Sequence, residues 1–160
     1  MARKSRKWDV GTVFAVPLAN SECGFGQVVS TKVLRTPSVA LFALRMACAT
    51  PLEQLPPLHF DACFSILTVS AHALDKGIWR LLGQRDLLFD QSVDPNARLR
   101  INQYIGSRFF TDNMVDAFFN AYFGLEPWDD FADPETLDKL LIPPHVRPHS
   151  AIFKRKPQCN

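Results

Sequence analysis

Strand-like alternation opens the informative part of the chain. Gly11–Ser30 reads GTVFAVPLANSECGFGQVVS, in which Phe14, Val16 and Leu18 fall on one face and Val13 and Ala15 on the other, the period of a β-strand. A polar turn follows, then a second run in which Gly24 and Gly26 bracket Phe25 before Val28 and Val29. Glycine weakens a strand, so a pair around an aromatic predicts a bulge or tight bend in a curled sheet. Val39–Met46, between Pro37 and Pro51, reads as a buried strand, and Pro51–Asp61 with its three prolines as a surface loop. Phe64–Ala71 has a strand pattern, Gly77 sets up a turn before Ile78–Leu82, and Arg85–Asp90 and Arg98–Tyr104 each predict a further short strand.

Helical periodicity takes over in the last third. Thr111 is placed to cap Asp112–Phe123, with the acidic Asp112 in the first turn, where the helix dipole favours it. Met114, Phe118 and Tyr122 form one i, i+4 row and Val115, Phe119 and Phe123 the next, and Gly124 supplies the stop. Burying each such ring is worth about 1.5–3 kcal/mol, so this helix must dock on the sheet. Asp133 as N-cap and Pro134 at the first position predict a second short helix through Leu137, Leu140 and Leu141, ended by Pro143–Pro144. The expected fold is α+β: a strongly bent antiparallel sheet or small barrel in the first two-thirds, with C-terminal helices packed on it. The 160 residues form one domain, with a basic arm at 1–9, a mainly β part at 10–105, helices at 111–142 and a Pro-rich basic tail at 143–160 pinned by Ile152 and Phe153.

Composition adds little: 47% hydrophobic and 21% charged residues are those of an ordinary globular chain. Charge is distributed less evenly than the net of +2 suggests. Between Thr111 and Ile142 lie eight acidic residues and one basic residue, so that window carries −7 and the remainder +9. Either a solvated acidic helix face or a charged partner accounts for such an asymmetry. Cys23, Cys48, Cys63 and Cys159 form no CxxC pair and no zinc-finger spacing with histidine. Free, mostly buried thiols in a reducing cytoplasm are expected, as the basic N-terminus carries no apolar run fit for a signal peptide and the chain no membrane span.

Candidate chemistry is thin. His59 and Asp61 lie two apart, and His145 and His149 four apart, but Pro148 removes the helix that would pair the latter. GxSxG, P-loop and GxGxxG motifs are all missing, so no catalytic, cofactor-binding or metal residue is assigned. Arg3, Lys4, Arg6 and Lys7 at one end and Lys154, Arg155 and Lys156 at the other are able to touch phosphates. A small barrel carrying aromatics between such arms makes nucleic-acid binding the alternative reading, against which the acidic window and the position of these residues at the chain ends both count.

The opening run resembles the N-terminal signature of the immunity protein 26 family of bacterial polymorphic toxin systems. The positions that carry the resemblance are Gly11, Val13, Phe14, Ala15, Val16, Pro17 and Leu18, then Gly24, Phe25 and Gly26. Lys76-Gly77-Ile78-Trp79-Arg80-Leu81-Leu82-Gly83 is similar to that family's Lys-Gly-x-Trp-x-x-Ile-Gly element, in the expected order. The two motifs span roughly the first half of the chain. The resemblance implies a non-enzymatic protein that binds and neutralises one cognate protein toxin, and no cofactor is expected. Tight inhibitors use charge complementarity around a few aromatic anchors, and the loop holding Glu126, Trp128, Asp129, Asp130, Phe131 and Asp133 offers both. That loop is the expected partner-binding site, facing a basic toxin surface; packing of Trp128 and Phe131 against the chain's own sheet is the competing role. A Phe-rich helix face is also compatible with a homodimer.

Overall fold

The computed structural model describes residues 7–31, 36–90, 93, 96 and 108–154. Strands β1 (Thr12–Pro17), β2 (Glu22–Ser30), β3 (Ser38–Ala47) and β4 (Cys63–Val69) run as an antiparallel meander. Helix α1 (His72–Lys76) and strand β5 (Arg80–Gln84) follow, then β6 (Phe109–Phe110), α2 (Asp112–Tyr122) and α3 (Thr136–Leu140). The sheet has the order β5-β1-β2-β3-β4-β6.

The architecture is α+β, but the sheet is open, which corrects the barrel expectation. β5 and β6 sit at opposite edges and do not pair with each other. The sheet is also mixed, because β6 runs parallel to β4. Strand alternation explains why closure is unnecessary: both faces are already covered. On one side Phe14, Val16, Leu18, Leu41 and Phe64 pack with Phe118, Phe119 and Trp128; on the other Val13, Ala15, Phe25 and Phe42 pack with Leu55 and Leu58 of the proline-rich loop. The face assignment of Phe14, Val16 and Leu18 against Val13 and Ala15 is therefore as the alternation predicts.

Element boundaries differ from expectation where short-range bonds intervene. Gly77, at φ +72°, ends α1, and the N–H groups of Ile78 and Trp79 both donate to Ala73 O, so the next strand starts at Arg80 rather than Ile78. No strand forms at Arg85–Asp90. The strand expected at Arg98–Tyr104, the arm residues Arg3, Lys4 and Arg6, the tail residues Arg155 and Lys156, and Cys159 lie outside the described residues. Thr111 caps α2 as its position predicts, accepting from Met114 N. Asp133 instead caps a turn ahead of α3 by accepting from Glu135 N, so that helix begins at Thr136.

Gly24 and Gly26 have a steric purpose that the bend reading only partly captured. The β2–β3 register does shift between Gly24 and Phe25. A Cβ on Gly24 would lie 2.6 Å from Phe119 Cδ1, and one on Gly26 2.5 Å from Phe14 Cζ. Each glycine makes a groove in the sheet for one aromatic ring, and the Gly24 groove receives the ring that α2 brings down.

Cys23 and Cys48 are joined by a disulfide, which corrects the expectation of free thiols. The register explains it: Cys23 pairs with Met46, so the turn leaving β3 returns beside the start of β2, with the Cα atoms 4.9 Å apart. Disulfides are characteristic of oxidising compartments, so the cytoplasmic expectation loses the support that free thiols gave it. Cys63 is a free, buried thiol whose pKa is pushed up to about 12 by desolvation, which leaves it unreactive. No helix among the described residues is long and apolar enough to cross a membrane.

Candidate functional site

The loop that follows α2 is built around Trp128. Gly124, at φ +74°, turns the chain out of the helix, and Leu125 N donates back to Asn120 O at 2.8 Å. Trp128 is fully buried, edge-on to Phe118 with ring centroids 6.0 Å apart, and its Nε1–H donates to Asp138 Oδ1 at 3.2 Å. A buried indole keeps its polar tip satisfied in this way. Trp128 is therefore part of the chain's own core, and the competing packing role is the one its position fits.

The other five expected contact residues separate by exposure. Asp129 is only 7% exposed and accepts from Lys154 N at 2.6 Å. Phe131 is half-buried against the same core as Trp128. Asp130 and Asp133 are exposed, each ion-paired to a lysine of the chain: Asp130 to Lys154 at 2.8 Å, Asp133 to Lys139 at 2.6 Å. The Lys139 ammonium and the Glu135 N–H hold the Asp133 carboxyl below its usual range. Glu126 is half-buried. The two exposed acids of the loop are thus each paired with a lysine of the chain, and its largest aromatic is turned inward.

Glu126 of this loop also lies near the acids of α2. Burial raises the pKa of Asp116, the Trp79 indole opposes that shift, and the charges of Asp112 and Glu126 add to it. Asp112 is held low, chiefly by its hydrogen bond from His72 at 3.0 Å. Asp112, Asp116 and Glu126 are thus close enough to act on one another.

Two carboxylates of the acidic window, and Asp75 outside it, serve as indole acceptors. Trp8 donates to Asp75 at 2.7 Å and Trp79 to Asp116 at 3.0 Å, as Trp128 does to Asp138. These carboxylate roles have no sequence signal, since the partners are 67, 37 and 10 residues apart. Asn120 was missed for the same reason: buried on α2, it accepts from Ala19 N across 101 residues and so fixes the β1–β2 turn against the helix.

The two sequence motifs also meet. β1 pairs with β5, and the Phe14 ring stacks on Trp79 with centroids 5.2 Å apart and planes 12° from parallel. The Gly26 groove lies under that same Phe14 ring. Motif residues 60 or so positions apart in the sequence therefore form one packed unit at the β5–β1–β2 side of the sheet.

Elsewhere the structure assembles little chemistry. His59 precedes the turn Phe60–Ala62 without a side-chain cap bond, and a ring nitrogen of His145 lies 2.8 Å from Asp61 O. Among the described residues no three His, Cys, Asp or Glu side chains are placed to hold a metal. Two open clefts flank Arg85 and Asp86, one lined by Val10, Gly11 and Gln84 and the other by Leu55, Pro57 and Leu58. The Arg85 guanidinium is committed to the carbonyls of Leu52, Leu55 and Pro56, which locks the proline-rich loop. Comparison with protein-family models, with curated proteins and with solved structures finds no match.

Proposed function

We propose that this chain is an immunity protein that binds and neutralises a cognate toxin of a bacterial polymorphic toxin or contact-dependent competition system. The observation that carries the reading is the packing of its two family-like motifs on each other, through β1–β5 pairing and the Phe14–Trp79 stack. They are scaffold, so the toxin contacts lie on other residues.

The surface best suited to a toxin is the acidic one of Asp112, Asp116 and Glu126, whose charges act on one another, since Asp130 and Asp133 are each paired with a lysine of the chain. Its field steers a basic partner and accelerates encounter. Binding by charge and coverage, without bond making, is the mechanism this surface supports. The open sheet removes the barrel on which the nucleic-acid alternative rested.

On this reading a secreted toxin gene lies beside the chain's own, and the test is co-expression with its product. Growth rescue by the intact protein is expected, with the toxin recovered bound to it. Failure of rescue, with the protein folded and abundant, would sink the proposal.

A further inference from the structure

The Cys23–Cys48 bond sits where α2 meets the first hairpin. Two contacts fix the helix there, and they flank Cys23 in the chain. On one side the Ala19 N–H donates to Asn120 Oδ1 at 2.9 Å, and Asn120 Nδ2 donates in turn to Asp116 O at 2.9 Å. On the other, the Phe119 ring lies in the groove over Gly24. Cys48 belongs to a different anchorage. It lies in the turn leaving β3, where Thr50 N and Oγ1 both donate to Ala47 O, and the Arg80 guanidinium of β5 donates to the Cys48 and Thr50 carbonyls. The disulfide thus ties a turn docked on α2 to a turn clasped by β5.

The two sulfurs differ in access. Cys23 is only 3% exposed, whereas Cys48 is half-buried, so a thiolate reductant reaches Cys48 first. The reduced state has a partner already in place: Cys48 Sγ lies 3.6 Å from Ser21 O, an acceptor for the S–H that reduction creates. A weak bond then replaces a covalent one at the same turn, which keeps a partner but loses its fixed position. Ser21 is the residue that responds, because its φ of +70° is a conformation that residues with a side chain rarely adopt. Such strain persists only where the surroundings impose it.

We propose that the Cys23–Cys48 bond is a redox switch on the docking of the β1–β2 turn against α2: oxidised, the turn is seated on Asn120; reduced, it leaves the helix while the sheet stays folded. The electrons come from a dithiol. Its thiolate attacks Cys48 Sγ, the S–S bond breaks, and Cys23 leaves as a thiolate that takes a proton. The reagent's second thiol then attacks the mixed disulfide and releases Cys48 as a thiol. The dithiol has become a disulfide, and two electrons and two protons have passed to the protein. The cross-link spans 25 residues, and the unfolded-chain entropy it removes is worth less than the whole stability of an ordinary domain, so the rest of the fold survives reduction. Such a device distinguishes an oxidising compartment from a reducing one, and it holds whatever the acids of α2 bind.

The experiment follows the full chain by amide NMR in the oxidised protein, after reduction with dithiothreitol and after reoxidation, with Cys48→Ser as a variant blind to the reductant. Reduction is expected to move the Ala19, Ser21 and Asn120 signals. It should quicken hydrogen exchange at the Ala19 amide about tenfold, as the loss of one hydrogen bond implies. The β4 signals should stay in place, and reoxidation should restore the first spectrum. Cys48→Ser should give the reduced pattern with or without dithiothreitol; the reduced wild type carries the same test without a substitution. Ala19 and Asn120 signals unmoved by reduction would overturn the switch. So would an oxidised pattern from Cys48→Ser, or a reduced spectrum that does not return on reoxidation. A spectrum that collapses throughout on reduction overturns it as well, since the bond would then hold up the whole fold rather than one turn.

Discussion

Gly24→Ala should destabilise the protein only while Phe119 is present. The added methyl would stand 2.6 and 2.7 Å from Phe119 Cδ1 and Cε1, where unstrained carbon contacts need about 3.5–4 Å. The ring must therefore retreat by about 1 Å, and it is confined: it is fully buried, edge-on to Phe64 at 5.6 Å and stacked on Phe123 at 6.4 Å. Overpacking of this kind costs about 1–3 kcal/mol. The chain entropy that glycine loses on folding offsets about 0.5–1 kcal/mol of it, leaving a net loss of about 1–2 kcal/mol. For a chain of this length that is a fall in Tm of about 2–8 °C. Phe119→Ala alone should cost about 3–5 kcal/mol, but it empties the groove. In that background Gly24→Ala should be neutral or slightly stabilising, giving a coupling energy at least as large as the single-mutant loss. Urea denaturation of the wild type, both single variants and the double variant measures all of this. Equal loss from Gly24→Ala in both backgrounds would refute the docking of α2 through the glycine groove.

Two further outcomes follow from the fold. The Cys23–Cys48 disulfide closes a 25-residue separation, so its reduction should remove about 3.5 kcal/mol by the loop-entropy relation, seen as a fall in Tm of about 7–14 °C; thiol titration that finds both cysteines free in the folded, unreduced protein would contradict the bond. Burial raises the Asp116 pKa, so the carboxyl favours folding most when protonated, below its unfolded value, and that advantage is lost as pH rises through the raised value. Asp116→Asn keeps an acceptor for the Trp79 indole without the charge; its Tm should exceed the wild type's at pH 7, with the gap closing as pH falls through the raised pKa, and a gap independent of pH would contradict the burial argument.

Local periodicity made the first hairpin, β3, β4 and α2 legible, because each buries a face whose period is written in neighbouring residues. Thr111 and Gly124 were legible because capping and helix exit depend on positions a few residues apart. Openness of the sheet was not, since it depends on what covers the second face, and the covering comes from Leu55 and Leu58 in a loop without periodicity. The Cys23–Cys48 bond depends on strand register, which the spacing of scattered cysteines does not encode. The loop around Trp128 was recognisable by composition alone. Its orientation was hidden because the groups that fix it, Phe118, Asp138 and Ile152, come from separate segments. Acidic residues counted as one charged window turn out to include the indole acceptors Asp116 and Asp138 and the turn cap Asp133.

The most direct test of the central claim, that an acidic surface on α2 and its following loop captures a basic toxin, is the affinity of purified protein for the neighbouring toxin after charge reversal at Glu126 and Asp130. Both are outside the buried core, so the double variant should fold. The account predicts a Kd weakened about tenfold or more, chiefly through slower association, and a shallower dependence on salt. An unchanged Kd with the same salt dependence would contradict it.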